Sequence, residues 1–315
     1  MTPAATTPYR RPPHLRPGDH VRVIAPAGPI PADLLTTGTA ILRSWDLHVT
    51  TAPTTLDTHP ALGYLAGTDT DRAAALTEAW CDPTVDAILC ARGGYGCLRI
   101  LDLLDWDAIA AAPPKIFAGS SDVTAIHHAI GTRIGLATLF SPMIASTAFT
   151  ADPIAAEALR RSLLRPDPPP PISTANAGNL VAGRARGTTF GGNASLLAAL
   201  LGAPDTAPPP PGAILLLEDV TEDPYRLDRI ITQLLRAGWF DDVAGIALGS
   251  WTSCGDLADV RAVMTDRLAG LGVPIGWELG FGHCQGQATI PLGVHAELDA
   301  DAGTLTILEP ALQAS

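Results

Sequence analysis

The chain has 315 residues, of which 47% are hydrophobic and 17% are charged. This balance is typical of a protein that buries a core, and it excludes a disordered or fibrous chain. The 20 Lys and Arg residues against 32 Asp and Glu residues give a formal net charge of −12. Binding to nucleic acid or to an anionic membrane surface needs clustered basic side chains, so neither is expected as a partner. At roughly 150 residues per domain, the length suggests about two domains.

Cysteine usage and the N-terminal segment indicate the compartment. The five cysteines form no CxxC pair and no Cys/His spacing that suits zinc, so we expect a reducing environment and no metal. The N-terminus has no apolar run long enough for a signal peptide, and no stretch approaches the ~18 apolar residues of a membrane span. The sequence therefore predicts a cytoplasmic protein that does not bind membranes.

Strands and helices alternate along the first half of the chain. The pattern begins with a short strand in HVRVIAPAGPI at 20–30, which ends at Pro and Gly. Apolar runs predict further strands at 48–53, 85–91 and 115–120. Apolar residues at helical spacing predict helices at 32–46, 68–82, 97–112 and 122–135. Such alternation indicates a parallel sheet that is covered by helices on both faces.

A proline-rich segment separates the two halves. RPDPPPPIST at 165–174 follows a predicted helix at 153–165, and its five prolines prohibit regular structure. We therefore expect an N-terminal domain at 1–165, a linker at 166–180 and a C-terminal domain at 181–315. Beyond the linker the pattern predicts a strand at 182–192, a helix at 193–202, a strand at 213–219, a helix at 224–238, a strand at 243–251, a helix near 257–271 and two strands within 295–309.

A glycine-rich turn, ARGGYG at 91–96, follows the buried strand at 85–91. Adjacent glycines let the backbone bring N–H groups close to an anion, but a tight strand-to-helix turn has the same composition. The turn is not a dinucleotide fingerprint, because GxGxxG is absent. We therefore expect no cofactor.

A serine turn, AGSSDVTAIH at 118–127, lies between a predicted strand and a predicted helix. This context resembles a nucleophile elbow, in which a sharp turn presents a hydroxyl at a helix N-terminus that could stabilise an oxyanion. An ordinary Ser/Asp helix cap is the alternative, and the second glycine of GxSxG is missing. Spacing alone does not distinguish Ser120 from Ser121.

An acid and a histidine complete the candidate chemistry. Glu218 ends an apolar strand, so its carboxylate needs a partner: it could orient a histidine, or pair with Arg226 or Arg229. His283 lies among the glycines of LGFGHCQGQATIPLG at 279–293, a loop suited to a general base. His127 and His128 follow the serine turn and remain weaker competitors on a helix face. The other histidines are interpreted as polar packing or surface residues.

Together these segments resemble the LD-carboxypeptidase family of serine peptidases, which includes muramoyltetrapeptide carboxypeptidases and the microcin C immunity hydrolases. The resemblance covers nearly the whole chain, and several collinear motifs carry it. They are YLAGTDTDRAAALTEAWCDPTVDAILCARGGYG at 64–96, KIFAGSSDVTAIH at 115–127, GGNASLLAALLGAP at 191–204, LEDVTEDPYRLDRIITQL at 217–234 and GHCQGQATIPLGVHAELD at 282–299.

The resemblance implies a Ser-Glu-His triad that cleaves an amide bond between an L- and a D-configured centre. Ser121 would be the nucleophile, Glu218 the acid that orients the histidine and His283 the general base, with backbone N–H groups near Gly94 and Asp122 as the oxyanion hole. The nucleophile then lies in one half of the chain and the other two residues in the second half. The expected fold is α/β, with an N-terminal parallel-sheet domain, a smaller C-terminal α/β domain and the active site between them. The resemblance also implies a homodimer.

Three departures from the family pattern bear on the substrate. Ser120 replaces an aromatic residue of the serine turn, Ala27-Gly28 replaces two serines of an early loop, and Cys284 stands where glycine is common. These changes leave the triad intact. A carboxylate-rich substrate would need basic residues at the cleft of this acidic protein, and motif placement suggests Arg92 and Arg226.

The sequence therefore leaves three candidate functions for the protein. The first is release of the terminal D-alanine from a murein tetrapeptide during peptidoglycan recycling. The second is hydrolysis of a peptide-nucleotide or another antibiotic amide, as in immunity relatives, and few aromatic residues near 150–190 are available for nucleobase stacking. The third is a ligand-binding protein without catalysis, against which the intact Ser, Glu and His argue.

Overall fold

Two β-sheets organise the chain. The computed structural model describes residues 9–204 and 206–314, and the strands of these residues form one six-stranded and one seven-stranded sheet. The strands are β1 His20–Ile24, β2 His48–Thr51, β3 Ala87–Cys90, β4 Ile116–Gly119, β5 Thr138–Phe140, β6 Gly178–Val181, β7 Arg184–Asn193, β8 Ile214–Val220, β9 Gly245–Thr252, β10 Ile275–Trp277, β11 Ile290–Leu292, β12 His295–Asp299 and β13 Thr304–Ile307.

Helices cover the sheets. They are α1 Ala32–Arg43, α2 Asp69–Cys81, α3 Cys97–Ile100, α4 Trp106–Ala111, α5 Thr124–Ile134, α6 Thr147–Thr150, α7 Pro153–Leu164, α8 Ala194–Leu200, α9 Pro224–Arg236 and α10 Leu257–Leu268. Short 3-10 turns extend the ends of three of them, at Leu101–Leu103, Ser121–Val123 and Ala269–Leu271. The predicted α/β fold is confirmed.

The first sheet has the strand order β11-β5-β4-β3-β1-β2, in which the strands from β2 to β5 run parallel. The chain therefore moves from β1 outward to β2 and then returns past β1 to β3, which makes β1 and β3 the point where the winding direction reverses. In open α/β sheets the crevice beyond the carboxyl ends of such strands is the usual binding site. The loops after β1 and β3 are thus placed to form one.

The second sheet has the order β13-β12-β7-β8-β9-β10-β6, with a parallel centre of β7 to β10. Its edge strand β6 begins at Gly178, inside the predicted linker 166–180. Strand β11 belongs to the C-terminal half of the sequence but pairs antiparallel with β5 in the first sheet. The C-terminal half therefore contributes to both sheets.

One hydrophobic cluster crosses between the sheets. It joins Leu89 and Phe140 of the first sheet to Ile214 of the second, and it includes Phe281 near the histidine loop. Because protein interiors pack as densely as crystals of small molecules, a shared core of this kind fixes the relative position of the two sheets. The strand ends of the two sheets are therefore held in fixed positions relative to each other.

The helix predicted at 97–112 is broken in the structure. Helix α3 gives way to a 3-10 turn, and Leu104 is extended with ψ of 136°. The Asp105 side chain then accepts a hydrogen bond from Ala108 N at 3.0 Å and starts α4 as its N-cap. The prediction of one continuous helix was wrong because a capping aspartate within the apolar pattern starts a second helix.

The described residues offer neither a membrane span nor a cluster of metal ligands. In 9–204 and 206–314 no helix is both long and apolar enough to cross a lipid bilayer. Over the same ranges no three His, Cys, Asp or Glu side chains are grouped so that they could hold a metal ion.

We predict opposite effects on stability for two glycine-to-alanine changes. The Cβ of Gly38→Ala on α1 would overlap the Ile144 carbonyl, 2.9 Å from its carbon atom, and should lower the free energy of unfolding by roughly 1–3 kcal/mol. Gly270→Ala meets nothing within 4 Å and should raise it by about 0.4–1 kcal/mol, since the unfolded chain loses freedom. Urea unfolding of both variants checks the signs, and equal effects would contradict the Gly38 contact.

Candidate active site

The serine turn holds Ser121 in a strained conformation. Ser121 directly follows Ser120 at the end of β4, and its φ is +59°, a left-handed value that few residues other than glycine adopt. Ser120 is extended, with φ of −147°, and its side chain is buried. Strained backbone of this kind clusters at active sites and is typical of a nucleophile elbow. The geometry therefore distinguishes the two serines and favours Ser121.

The glycine-rich turn packs directly against this serine. A Cβ built on Gly93 would lie 2.8 Å from Ser121 Oγ and 3.3 Å from Asp122 N, so only glycine fits. Gly28, from the loop after β1, donates its N–H to the Gly93 carbonyl at 2.9 Å. The loops after β1, β3 and β4 thus meet at the serine, at the position that the strand order indicates.

The Asp122 side chain links the serine turn to the glycine-rich turn. Its carboxylate is buried and accepts a hydrogen bond from Cys97 N at 2.7 Å, just beyond the glycine turn. Burial raises the pKa of Asp122, although the backbone donors oppose the shift. Arg72 supports the same turn, because its guanidinium is buried and Nη1 donates to the carbonyls of Pro26 at 2.7 Å and Gly96 at 2.9 Å.

Glu218 and His283 form a hydrogen-bonded pair. Glu218 has 0% of its side chain exposed, and its Oε2 accepts from His283 Nδ1 at 2.7 Å and from His283 N at 3.1 Å. Its other oxygen accepts from Asn193 Nδ2 at 3.2 Å. With Nδ1 engaged by the carboxylate, Nε2 is the ring nitrogen that remains to accept a proton. Neither Arg226 nor Arg229 is needed as a partner for Glu218.

The environment of His283 favours its charged form. Burial of the ring lowers the pKa of His283, but the charge and hydrogen bond of Glu218, with a smaller contribution from Asp219, outweigh burial. The net pKa is raised above the ordinary value. His127, by contrast, is fully buried, with Nδ1 against Thr138 Oγ1 and Nε2 against the Gly119 carbonyl, and burial lowers its pKa to about 4. His127 is therefore a core residue.

Ser121 and His283 face one cavity of about 740 Å³. The walls contain residues from 92–94, 120–121, 143–152, 220–221 and 283–287, together with Thr252. Within the ranges that the structure describes, no hydrogen bond joins Ser121 to His283. Catalytic hydrogen bonds are often long or poorly aligned in unliganded enzymes and tighten when substrate binds.

The structure brings two of the three substrate residues predicted from the sequence, Arg92 and Ser120, to this cavity. Gly94, predicted for the oxyanion hole, and Cys284, a departure from the family pattern, also line it. The structure does not bring Arg226 there: its side chain is about half exposed and pairs at 2.5 Å with Glu222, which lies just before α9. The i, i+4 spacing of these two residues was visible in the sequence and is typical of a surface ion pair.

Two residues near the Glu218–His283 pair had no role predicted from the sequence. Asn193 lies within GGNASLLAALLGAP, and it bonds both Glu218 and Asp219 through Nδ2 while its Oδ1 caps α8. Asp152 precedes Pro153, a signal for a helix start, but its carboxylate also reaches the histidine loop. Capping is visible in the sequence, whereas contacts between distant segments are not.

Two family models match the chain. The model of the LD-carboxypeptidase N-terminal domain matches residues 21–141, and that of the LD-carboxypeptidase C-terminal domain matches residues 186–298. The chain belongs to the LD-carboxypeptidase family. It is therefore a hydrolase of the serine peptidase type, and the family suggested by the sequence motifs is confirmed.

Relatives of this LD-carboxypeptidase cover almost its full length. A Streptomyces coelicolor protein that bears a carboxypeptidase name is 54% identical over 96% of this chain and 97% of its own. The murein tetrapeptide carboxypeptidase of Pseudomonas aeruginosa is 31% identical over 89% and 93%. A solved structure of MccF in complex with glutamyl sulfamoyl guanosine is 25% identical, covers 96% of this chain and 99% of its own, and superposes with a TM-score of 0.87.

We predict that Gly282→Ala disrupts the acid-base pair. Gly282 has φ of +88°, and an added Cβ would lie 2.5 Å from Glu218 Cγ. The backbone strain should cost roughly 1–3 kcal/mol of stability. Displacement of Glu218 should in addition lower peptide hydrolysis by about 10²-fold or more, because small misplacements of catalytic groups have effects of that size.

Gly18→Ala is the matched control for this variant. Gly18 has a similar φ of +91°, but a Cβ there meets nothing within 4 Å. Urea unfolding and the hydrolysis rate are measured for both variants. Equal loss of hydrolysis in both would show that strain alone explains the effect and would contradict the Glu218 contact.

Proposed function

We propose that this LD-carboxypeptidase releases the terminal D-alanine from a murein tetrapeptide through a Ser121-Glu218-His283 triad. The observation that carries the proposal is the arrangement at the cavity. A hydrogen-bonded Glu218–His283 pair and a strained Ser121 face the same space, and they come from opposite halves of the chain. This is the nucleophile, base and orienting acid of a serine hydrolase.

The first half of the reaction forms an acyl-enzyme. His283 Nε2 takes the proton of Ser121 as its Oγ attacks the carbonyl carbon of the L,D-amide bond. Glu218 holds the ring and stabilises the imidazolium that forms. When the tetrahedral intermediate collapses, the C–N bond breaks and His283 gives the proton to the departing amine, so D-alanine leaves. Water then repeats the sequence, with His283 as its base, to free the shortened peptide and Ser121.

Backbone N–H groups of Gly94 and Asp122 form the oxyanion hole in this proposal. The close approach of Gly93 to the Ser121 side chain and to the Asp122 backbone nitrogen places the two loops side by side. The Asp122–Cys97 hydrogen bond and the Arg72 bonds to the turn restrain it. Donors that are fixed before the reaction stabilise developing charge without the cost of reorganisation.

The cavity walls favour a peptide over a nucleotide substrate. None of the described lining residues is Phe, Tyr or Trp, the side chains on which a nucleobase stacks. Arg92 lines the cavity with an exposed guanidinium that could bind the terminal carboxylate of the substrate, and Ser120 replaces an aromatic residue with a hydroxyl. The MccF-like alternative, an amidase that acts on a peptide-nucleotide, lacks a stacking platform here.

The substrate proposal predicts D-alanine release by the wild-type protein from the murein tetrapeptide, measured by mass spectrometry and by an enzyme-coupled D-alanine assay. Ser121→Ala should lower the rate by several powers of ten, because removal of a triad member leaves only binding and oxyanion stabilisation. Ser253→Ala is the matched control, because Ser253 has the same φ of +59° but is exposed and does not line the cavity, and it should retain most of the rate.

Two outcomes would contradict different parts of this proposal. Activity on an aminoacyl sulfamoyl nucleoside but not on the tetrapeptide would favour the immunity-type function. Equal rates for wild type and Ser121→Ala would show that Ser121 is not the nucleophile.

The raised pKa of His283 predicts the pH dependence. The ring must be neutral to accept the Ser121 proton, so kcat/KM should fall as the pH drops through a midpoint above the ordinary histidine value. Glu218→Gln removes the charge that raises this pKa and leaves burial, which lowers it. The midpoint should therefore move to lower pH, while the maximal rate falls by about 10⁴-fold.

The test is the pH profile of kcat/KM for wild type and Glu218→Gln. Asp219→Asn is a useful comparison, because Asp219 contributes less to the His283 pKa and makes no hydrogen bond to the ring. A midpoint in Glu218→Gln that equals or exceeds the wild-type value would contradict the assignment of Glu218 as partner of the base.

A further inference from the structure

The two oxygens of the Asp152 carboxylate accept hydrogen bonds from different parts of the chain. Oδ1 accepts from Ile154 N at 3.0 Å and Ala155 N at 3.1 Å, which caps α7. Oδ2 accepts from Gly286 N at 2.6 Å, across 134 residues of sequence. Burial raises the pKa of Asp152, but the three backbone donors outweigh burial, and the net pKa lies below the ordinary value. Asp152 is therefore a carboxylate at neutral pH.

The Gly286 contact restrains the loop that carries His283. Before and at His283, this loop is held by Glu218, which bonds the ring and the backbone N–H, and by the Thr252 hydroxyl, which donates to the His283 carbonyl. Three residues further on, Gly286 is held by Asp152. The histidine thus lies between one anchor on the second sheet and one on α7.

The bond also joins two segments of the cavity wall. Asp152 ends one segment, which contains Ser146, Thr147 and Ala148, and the other segment contains His283 and its neighbours up to 287. A charge-assisted hydrogen bond from a backbone N–H to a carboxylate is about twice as strong as a neutral one. Asp152 therefore restrains the segment that carries the general base relative to the segment that precedes α7.

We propose that Asp152 is a positioning residue, which restrains the His283 loop so that the ring can reach the Ser121 hydroxyl when substrate binds. This inference rests on the proposed role of His283 as general base. Asp152 itself takes no proton in the reaction. Its effect is on how often the ring and the Ser121 hydroxyl are aligned.

The chain offers variants that separate this role from helix capping. Serine is as good an N-cap as aspartate but is too short to reach Gly286, so Asp152→Ser loses only the loop contact. Asp152→Ala loses both the loop contact and the cap. Asp256 is the matched control, because it caps α10 through Ala258 N at 2.8 Å, is exposed and does not line the cavity.

The experiment measures labelling of Ser121 by diisopropyl fluorophosphate. The Oγ–P bond forms, the P–F bond breaks and His283 takes the hydroxyl proton, so the rate constant reports the alignment of the pair without any assumed peptide substrate. We expect Asp152→Ser and Asp152→Ala to label about 10²-fold more slowly than wild type. Asp256→Ala should label at the wild-type rate.

The labelled fraction distinguishes positioning from misfolding. A mispositioned base gives complete labelling at a reduced rate constant, whereas an irreversibly misfolded fraction gives incomplete labelling at the wild-type rate constant, and urea unfolding measures any reversibly unfolded population. A labelling rate constant for Asp152→Ser within twofold of the wild-type value would overturn the inference. Slow labelling of Asp152→Ala but not of Asp152→Ser would overturn it as well, because it would point to the lost helix cap. Failure of wild type to label at Ser121 would instead refute the proposed nucleophile, so the two failures are distinguishable.

Discussion

The cavity side of the second sheet depends on a buried carboxylate, Glu218, that must be hydrogen-bonded. Glu218 lies at 0% exposure, and burial of a charged group without partners is very costly. The His283 ring, the His283 backbone and Asn193 supply those partners. The β8–β9 pairing shifts its register between Leu217 and Asp219, as at many active sites, where an irregularity in the ladder redirects a side chain. The acid thus requires the histidine loop to close over it.

Its neighbour Asp219 is a second buried acid that needs hydrogen-bond partners. Burial, and next the adjacent Glu218, raise the pKa of Asp219 to about 6. Asp219 accepts hydrogen bonds from Ser195 N at 2.8 Å and Asn193 Nδ2 at 2.9 Å, at the start of α8. Asn193 therefore separates two acids that would otherwise repel each other, because its amide donates to both. This explains why a short helix begins beside the acid: its capping residue is also the link between the two carboxylates.

Much of the fold could be predicted from local patterns, because apolar periodicity and caps are properties of short segments. The helix predicted at 68–82 is α2, Asp69–Cys81, with the capping box that its Thr and Asp residues indicate. Strands β5, β10 and β11 have only three residues each, too few to show a period. The collinear motifs identified the family, and Arg72 and Asp152 were missed because their partners lie elsewhere in the sequence. The roles of these two residues depend on which loops the tertiary fold brings together. The periodicity of a short segment does not predict such contacts.

The net charge of −12 is a poor guide to what the cavity binds, because several arginines elsewhere are already paired with acids, whereas Arg92 lines the cavity. Arg226 pairs with Glu222, Arg72 with Asp69, and Arg99 with the same aspartate at 2.7 Å. Arg92 instead donates to the Pro29 carbonyl at 2.6 Å, and it forms no ion pair with any residue that the structure describes. A backbone carbonyl orients a guanidinium without cancelling its charge, so the positive charge remains available to the cavity. Since exposed charges farther away than about 10 Å are largely screened at ordinary ionic strength, Arg92 and Asp152, which both line the cavity, act on its ligands more strongly than the acids on the rest of the surface.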